Sequence, residues 1–143
     1  MAKNTANAKW TGSLKEGKGD LALGNGAFEG NFSFKSRFED GDGTNPEELI
    51  AAAHAGCFSM QFNGFLYNEG IEAESVETTA EVELKPVAGT PTITKITLTS
   101  TVEAPGADEG AVRSAGDAAK EKCPVSRALA SVEEIVLDLT VNV

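Results

Sequence analysis

The 143-residue chain has few cysteines and no long apolar run, and each shortage excludes a class of protein. Two cysteines, Cys57 and Cys123, are too few for the disulfide framework that holds small secreted domains together. No apolar run approaches the roughly 20 residues of a membrane-spanning helix. The N-terminus also has no apolar segment of the kind found in signal peptides. We therefore expect a cytoplasmic protein with no membrane partner.

Basic residues and histidine are scarce as well. Lys and Arg number 12 against 22 Asp and Glu, which gives a net charge of −10. Such a surface repels phosphate backbones, and no basic cluster overrides it, so we expect no nucleic-acid partner. His54 is the single histidine and there is no C-x-x-C motif, so a zinc site is not expected. The length predicts one domain spanning residues 1–143.

The most informative stretch predicts a well-capped helix that carries a cysteine. Asn45 suits the N-cap, Pro46 suits the first helical position, and Glu48 completes a capping-box pattern. The helix is predicted to run from Pro46 to about Asn68 and to end near Gly70. Because its apolar residues are distributed nearly all round, we expect it to be buried at the centre of the fold or of an oligomer.

Period-two patterns predict β-strands on both sides of this helix. The N-terminal third contains short strands separated by glycine turns, and a helix followed by a short second helix separates the last two strands. The main predicted segments are strands over Asn31–Arg37, Val76–Leu84, Ile96–Val102 and Ile135–Val143, a helix from Asp108 to about Lys122, and a short helix beginning at Pro124. This order predicts an α+β fold.

The two cysteines differ in their predicted local surroundings. Cys123 precedes Pro124 at a helix start, where the helix dipole lowers a thiol pKa. Cys57 lies within a helix, and its one potential neighbouring cation there is His54, one turn earlier. Local physics alone therefore makes Cys123 the more acidic thiol, although both cysteines could equally be small buried apolar residues. A hydrolase-type Cys–His pair lacks an orienting third group, so a packing or hydrogen-bonding role fits His54 better.

Three segments together resemble the OsmC family, the osmotically inducible proteins related to the organic hydroperoxide resistance proteins. The segments are Ser36-Arg37-Phe38-Glu39, the run from Gly43 to Met60, and Cys123-Pro124-Val125-Ser126. The likeness extends over essentially the whole chain, and the Ala-His-Ala before Cys57 looks like the OsmC branch. The resemblance implies an OsmC-like α+β fold, with antiparallel sheets wrapped around a long central buried helix. It also implies an intertwined homodimer with active sites at the subunit boundary.

The resemblance further implies roles for four residues and reverses the local ranking of the thiols. Cys57 would be the peroxidatic cysteine and Cys123 the resolving one, while Arg37 holds Cys57 as a thiolate and Glu47 holds Arg37. The implied function is a thiol-dependent peroxidase for organic hydroperoxides and hydrogen peroxide in oxidative or osmotic stress defence. It needs no cofactor or metal and is recycled by an external dithiol. The alternative is a redox-sensing or binding protein whose thiols report oxidation without efficient turnover.

Bulky apolar residues follow Cys57 on its helix and suggest a substrate preference. We expect at least some of them to line the approach to the thiol: Phe58, Met60, Phe62 and Phe65. An apolar approach favours hydroperoxides with hydrocarbon tails over hydrogen peroxide, because each buried CH₂ contributes about 0.8 kcal/mol.

Overall fold

The computed structural model describes residues 1–143, which form two compact units. The first unit is Met1–Leu49 and the second is Ile50–Val143, so the boundary falls inside the long helix that begins at Pro46. The sequence prediction of one domain over 1–143 stays a prediction. None of the helices combines the length and apolarity that crossing a bilayer requires.

The first unit is built on a three-stranded antiparallel sheet with strand order β1-β2-β3. The strands are β1 (Ala6–Thr11), β2 (Lys18–Leu23) and β3 (Glu29–Phe32). Every residue of β1 is exposed. Large apolar side chains of this unit also lie at the surface, between 37% and 69% exposed: Trp10, Leu14, Leu23, Phe28 and Phe38. The fully buried apolar core of the protein contains no residue of this unit.

A short helix, α1 (Phe34–Phe38), occupies the place where the sequence pattern predicted a strand over Asn31–Arg37. That prediction is wrong beyond Phe32, because Ser33 and Ser36 form a reciprocal cap. The Ser33 hydroxyl accepts from the Ser36 N–H at 3.0 Å, and the Ser36 hydroxyl accepts from the Ser33 N–H at 2.8 Å. Arg37 consequently lies in the last turn of a short helix instead of on a strand.

The long helix α2 (Pro46–Asn68) has the predicted bounds. The Asn45 side chain accepts from the Glu48 N–H at 2.8 Å, which confirms the N-cap. The Glu48 carboxylate, however, accepts from the Thr44 hydroxyl at 2.7 Å, so the predicted capping box is half formed. At the other end Gly70 has φ +74°, and the helix stops where predicted because glycine adopts this left-handed conformation without strain.

The second unit contains a mixed sheet with strand order β4-β5-β6. Its strands are β4 (Ser75–Val87), β5 (Thr90–Glu103) and β6 (Glu134–Asn142). β4 and β5 form an antiparallel hairpin, whereas β6 pairs parallel with β5. The α+β class is confirmed, but the prediction of antiparallel sheets is wrong for β6. The chain between β5 and β6 includes two helices, α3 (Glu109–Lys122) and α4 (Pro124–Ala128), and a crossover of this length permits parallel pairing.

The core of the second unit lies between one face of α2, strand β5 and helix α3. Its fully buried members include Phe58, Phe62 and Leu66 of α2, Ile96, Leu98 and Val102 of β5, and Val112 and Ala119 of α3. Gly116 allows α3 to approach closely, because a Cβ there would lie 2.9 Å from Leu139 and 3.2 Å from the Phe62 ring. This packing fixes the orientation of the α2 segment that carries Cys57.

The other face of α2 is exposed in the single chain. It carries small residues together with Met60 and Tyr67, whose side chains are 81% and 73% exposed. The prediction of a helix buried all round is therefore not met by one chain alone. One apolar face of the helix remains without a partner.

Candidate active site

The structure brings the two cysteines together in the second unit. The Cys57 sulfur, in the fourth turn of α2, lies 3.2 Å from the Cys123 sulfur at the start of α4. Both are free thiols; Cys123 is fully buried and Cys57 is partly exposed. A disulfide bond is about 2.05 Å long, so bond formation requires the sulfurs to approach by only about 1.2 Å. No group of three or more His, Cys, Asp or Glu side chains could hold a metal ion.

Three influences set the pKa of the Cys57 thiol, and together they raise it. Burial, the largest, raises the pKa because it removes the thiolate from water. A hydrogen bond from the Val125 backbone N–H lowers it, and the neighbouring Cys123 sulfur raises it. The sequence reasoning considered only the helix that carries Cys57 and did not predict this contribution from the first turn of α4. A thiol whose pKa is raised in this way needs a nearby cation to become a thiolate at neutral pH.

His54 is fully buried and hydrogen-bonds to a residue that the sequence had not singled out. Its Nε2 lies 2.7 Å from the hydroxyl oxygen of Ser126, while its Nδ1 has no hydrogen-bond partner. Burial lowers the pKa of His54. The predicted hydrogen-bonding role is confirmed, and the partner is on α4. Spacing is the one signal that could have found it: His54 is one turn before Cys57, and Ser126 is one turn after Cys123.

Arg37 and Glu47 form an ion pair in the first unit. The Arg37 Nη2 lies 2.7 Å from the Glu47 Oε1, and the Arg37 Nε lies 3.2 Å from both carboxylate oxygens. The Glu47 side chain is 11% exposed and that of Arg37 is 37% exposed. The guanidinium also stands over the Phe38 ring, 5.1 Å from its centroid. The carboxylate therefore orients the guanidinium through a fork of hydrogen bonds and leaves part of it accessible.

An apolar cleft of about 180 Å³ adjoins this guanidinium. Its lining residues are Trp10, Leu14, Phe32, Ser33, Phe34, Arg37, Phe38 and Pro46. Of the residues after Cys57 that were predicted to line the approach, Phe58 and Phe62 are fully buried in the core, whereas Met60 is 81% exposed. That at least some of the four line the approach to the thiol stays a prediction. The aromatic residues beside Arg37 instead come from the N-terminal strands and α1.

The fold and the sequence are both similar to those of known proteins. The fold matches that of an organic hydroperoxide resistance protein OsmC from Legionella pneumophila, with a TM-score of 0.71, 25% identity and coverage of 100% of both chains. The chain is 44% identical to peroxiredoxin OsmC of Escherichia coli over 92% of its own length and 91% of that protein. It is 33% identical to an organic hydroperoxide resistance protein-like protein of Staphylococcus aureus over 73% of each.

The family model for OsmC-like proteins matches residues 39–138. The chain belongs to the OsmC family, which confirms the resemblance drawn from its sequence segments.

Proposed function

We propose that the protein is a cysteine-based peroxidase that reduces organic hydroperoxides and hydrogen peroxide in cytoplasmic stress defence. The observation that carries this proposal is the pair of free thiols with sulfurs 3.2 Å apart, one partly exposed and the other buried behind it. The names of the Escherichia coli and Staphylococcus aureus relatives, a peroxiredoxin and a hydroperoxide resistance-like protein, support the same class of reaction.

The reaction proceeds in three steps. The Cys57 thiolate attacks the distal peroxide oxygen, the O–O bond breaks, and an alcohol or water leaves while Cys57 becomes a sulfenic acid. The Cys123 thiol then attacks the oxidised sulfur, and the new disulfide forms with loss of water. An external dithiol reduces the disulfide and restores both thiols. Each cycle uses two electrons from the dithiol to reduce one peroxide.

Arg37 supplies the cation that the Cys57 thiol needs. Burial raises the pKa of Cys57, and a guanidinium, which stays charged at every relevant pH, offsets this effect and also donates to a peroxide oxygen. Glu47 holds Arg37 in place through the fork described above. In this proposal Glu47 acts on the sulfur only through Arg37.

The cleft beside Arg37 accommodates the hydrocarbon tail of an organic hydroperoxide. The Arg37 guanidinium binds the peroxide group, and the apolar walls of the cleft contact the hydrocarbon tail. Because each buried CH₂ contributes about 0.8 kcal/mol, the cleft favours substituted hydroperoxides over hydrogen peroxide.

The functional form is a homodimer that covers the apolar surfaces left open in one chain. The first unit contributes no side chain to the fully buried apolar core, and an open three-stranded sheet with exposed Leu23 and Phe28 needs a covering surface. The unpartnered face of α2, with Met60 and Tyr67, needs one too. A second copy of the chain meets both needs at once. Sedimentation equilibrium at micromolar concentration tests this, and a monomeric mass contradicts it.

The rival function is a redox sensor or binding protein that is oxidised without efficient turnover. The same thiol pair serves both functions. The peroxidase and the sensor differ in whether the oxidised thiols are reduced again for many turnovers. The test is continuous consumption of tert-butyl hydroperoxide with a dithiol reductant by wild type, Cys57→Ser and Cys123→Ser. The peroxidase predicts many turnovers for wild type, none for Cys57→Ser, and a single event followed by poor recycling for Cys123→Ser. A wild-type reaction that stops after one event supports the sensor instead.

A further inference from the structure

A buried hydrogen bond links the two cysteine-bearing segments at a distance of one helical turn from each sulfur. His54 precedes Cys57 by three residues on α2, and Ser126 follows Cys123 by three residues on α4. The His54 Nε2 and the Ser126 hydroxyl oxygen are 2.7 Å apart, and His54 is fully buried while Ser126 is 6% exposed. Neither side chain has a part in the proposed sulfur chemistry.

Helix α4 affects Cys57 in two ways, although the helix itself is short. It spans five residues, and its start supplies both the Cys123 sulfur and the Val125 N–H that meet the Cys57 sulfur. A helix this short gains little stability from its own backbone hydrogen bonds. Its placement against α2 therefore depends on tertiary contacts, of which the bond between His54 and Ser126 is a buried polar one.

We propose that His54 is a positioning residue whose hydrogen bond to Ser126 holds α4 against α2, so that Cys123 reaches oxidised Cys57 before a second peroxide does. This inference rests on the proposed peroxidase function. It assigns His54 no contact with substrate and no proton transfer. It explains why a polar side chain is buried one helical turn from Cys57.

Two reactions compete for the Cys57 sulfenic acid, and the hydrogen bond biases that competition. In resolution, the Cys123 sulfur displaces the sulfenic oxygen, which leaves as water, and the S–S bond forms. In overoxidation, a second hydroperoxide transfers one oxygen to the same sulfur, which becomes a sulfinic acid while the hydroperoxide is reduced to its alcohol. Resolution is independent of peroxide concentration and overoxidation is proportional to it. Slower resolution therefore lowers the peroxide concentration at which sulfinic acid appears.

The test is the variant Ser126→Ala, with Ser59→Ala as its matched control. Ser59 is on α2, as His54 is, and donates a hydrogen bond at 2.8 Å to Thr78 on β4 instead of to α4. Reduced protein receives a pulse of cumene hydroperoxide at increasing concentration, and mass spectrometry measures the disulfide and sulfinic fractions of Cys57. We expect Ser126→Ala to reach half sulfinic acid at a concentration roughly threefold to tenfold below wild type, which corresponds to the loss of one hydrogen bond. Ser59→Ala should match wild type.

A second pair of variants decides the matter if Ser126→Ala does not fold. His54→Gln keeps a polar group near the Nε2 position and should stay close to wild type, whereas His54→Leu removes it and should shift toward sulfinic acid. Equal half-sulfinic concentrations in wild type and Ser126→Ala, or the same shift in Ser59→Ala, overturn the positioning role. Equal behaviour of His54→Gln and His54→Leu overturns it as well. Failure of wild type to form any peroxide-dependent disulfide is a different result, and refutes the peroxidase function itself.

Discussion

Replacement of Glu47 by glutamine tests whether the carboxylate acts through Arg37. Glutamine keeps the shape of the side chain and one acceptor oxygen, but it removes the charge and one side of the fork that holds the Arg37 Nε and Nη2. Restricting an arginine side chain to one rotamer costs about 2 kcal/mol of conformational entropy. The hydrogen bonds from Glu47 impose this restriction on Arg37 before the peroxide binds. Because 1.36 kcal/mol corresponds to a tenfold rate change, complete release of Arg37 costs up to roughly 30-fold in kcat/KM. We expect a loss between threefold and 30-fold for Glu47→Gln.

The assay is steady-state reduction of tert-butyl hydroperoxide, together with the rate of thiol alkylation against pH. The neighbouring acid Glu48 provides the control, because it occupies the same first turn of α2 but bonds to the Thr44 hydroxyl. Glu48→Gln changes the charge near the helix start by the same amount and should retain activity. Wild-type activity in Glu47→Gln, or an equal loss in Glu48→Gln, refutes the reasoning.

Three further predictions follow from the charges and the cleft. Arg37→Ala should reduce kcat/KM more than Arg37→Lys and should move the alkylation profile of Cys57 to higher pH, since lysine keeps the charge but loses the fork; an unchanged profile places Arg37 outside the reaction. Cumene hydroperoxide should give a higher kcat/KM than hydrogen peroxide with the same reductant, and equal or better efficiency on hydrogen peroxide refutes the role of the cleft. Burial lowers the pKa of His54 below 6.5, so as the pH falls the unfolded chain takes up a proton at a higher pH than the folded protein does. The stability that buried, neutral His54 contributes is therefore present above pH 6.5 and is lost as the pH falls toward the pKa of the folded state. Urea midpoints between about pH 5 and 8 should therefore fall less steeply at the acidic end for His54→Gln than for wild type, and parallel curves contradict this.

The sequence predicts those parts of the fold that local rules determine. The helix Pro46–Asn68 was predicted with its bounds, because Asn45 at the N-cap and Gly70 at the C-terminal end are both local signals. The helix Glu109–Lys122, with its Asp108 cap, follows the same rules. Long strands with clear alternation were also found. The family resemblance, carried by short and specific motifs, then supplied the pairing of Cys57 with Cys123 that periodicity alone does not give.

The features that could not be predicted from the sequence depend on one unrecognised local cap and on contacts between distant segments. The segment after Phe32 alternates in polarity for a few residues, and the reciprocal cap between Ser33 and Ser36 turns it into a helix. The direction of β6 is set by the two-helix crossover, which leaves no mark on the alternation within the strand itself. The Val125 N–H at Cys57 and the bond between His54 and Ser126 join segments far apart in the chain. Only the one-turn spacing of His54 and Ser126 from the cysteines hints at the second of these contacts.

The most direct test of the proposed mechanism is a reductant-free single turnover with peptide mapping. Fully reduced protein is mixed with excess tert-butyl hydroperoxide, the alcohol released early in the reaction is quantified, and the oxidised cysteines are identified after digestion. The mechanism predicts a rapid release of a single equivalent of alcohol per chain and a disulfide between Cys57 and Cys123. It also predicts no alcohol from Cys57→Ser. Alcohol release by Cys57→Ser, or release by wild type with both thiols still reduced, contradicts the assignment of Cys57 as the residue that attacks the peroxide.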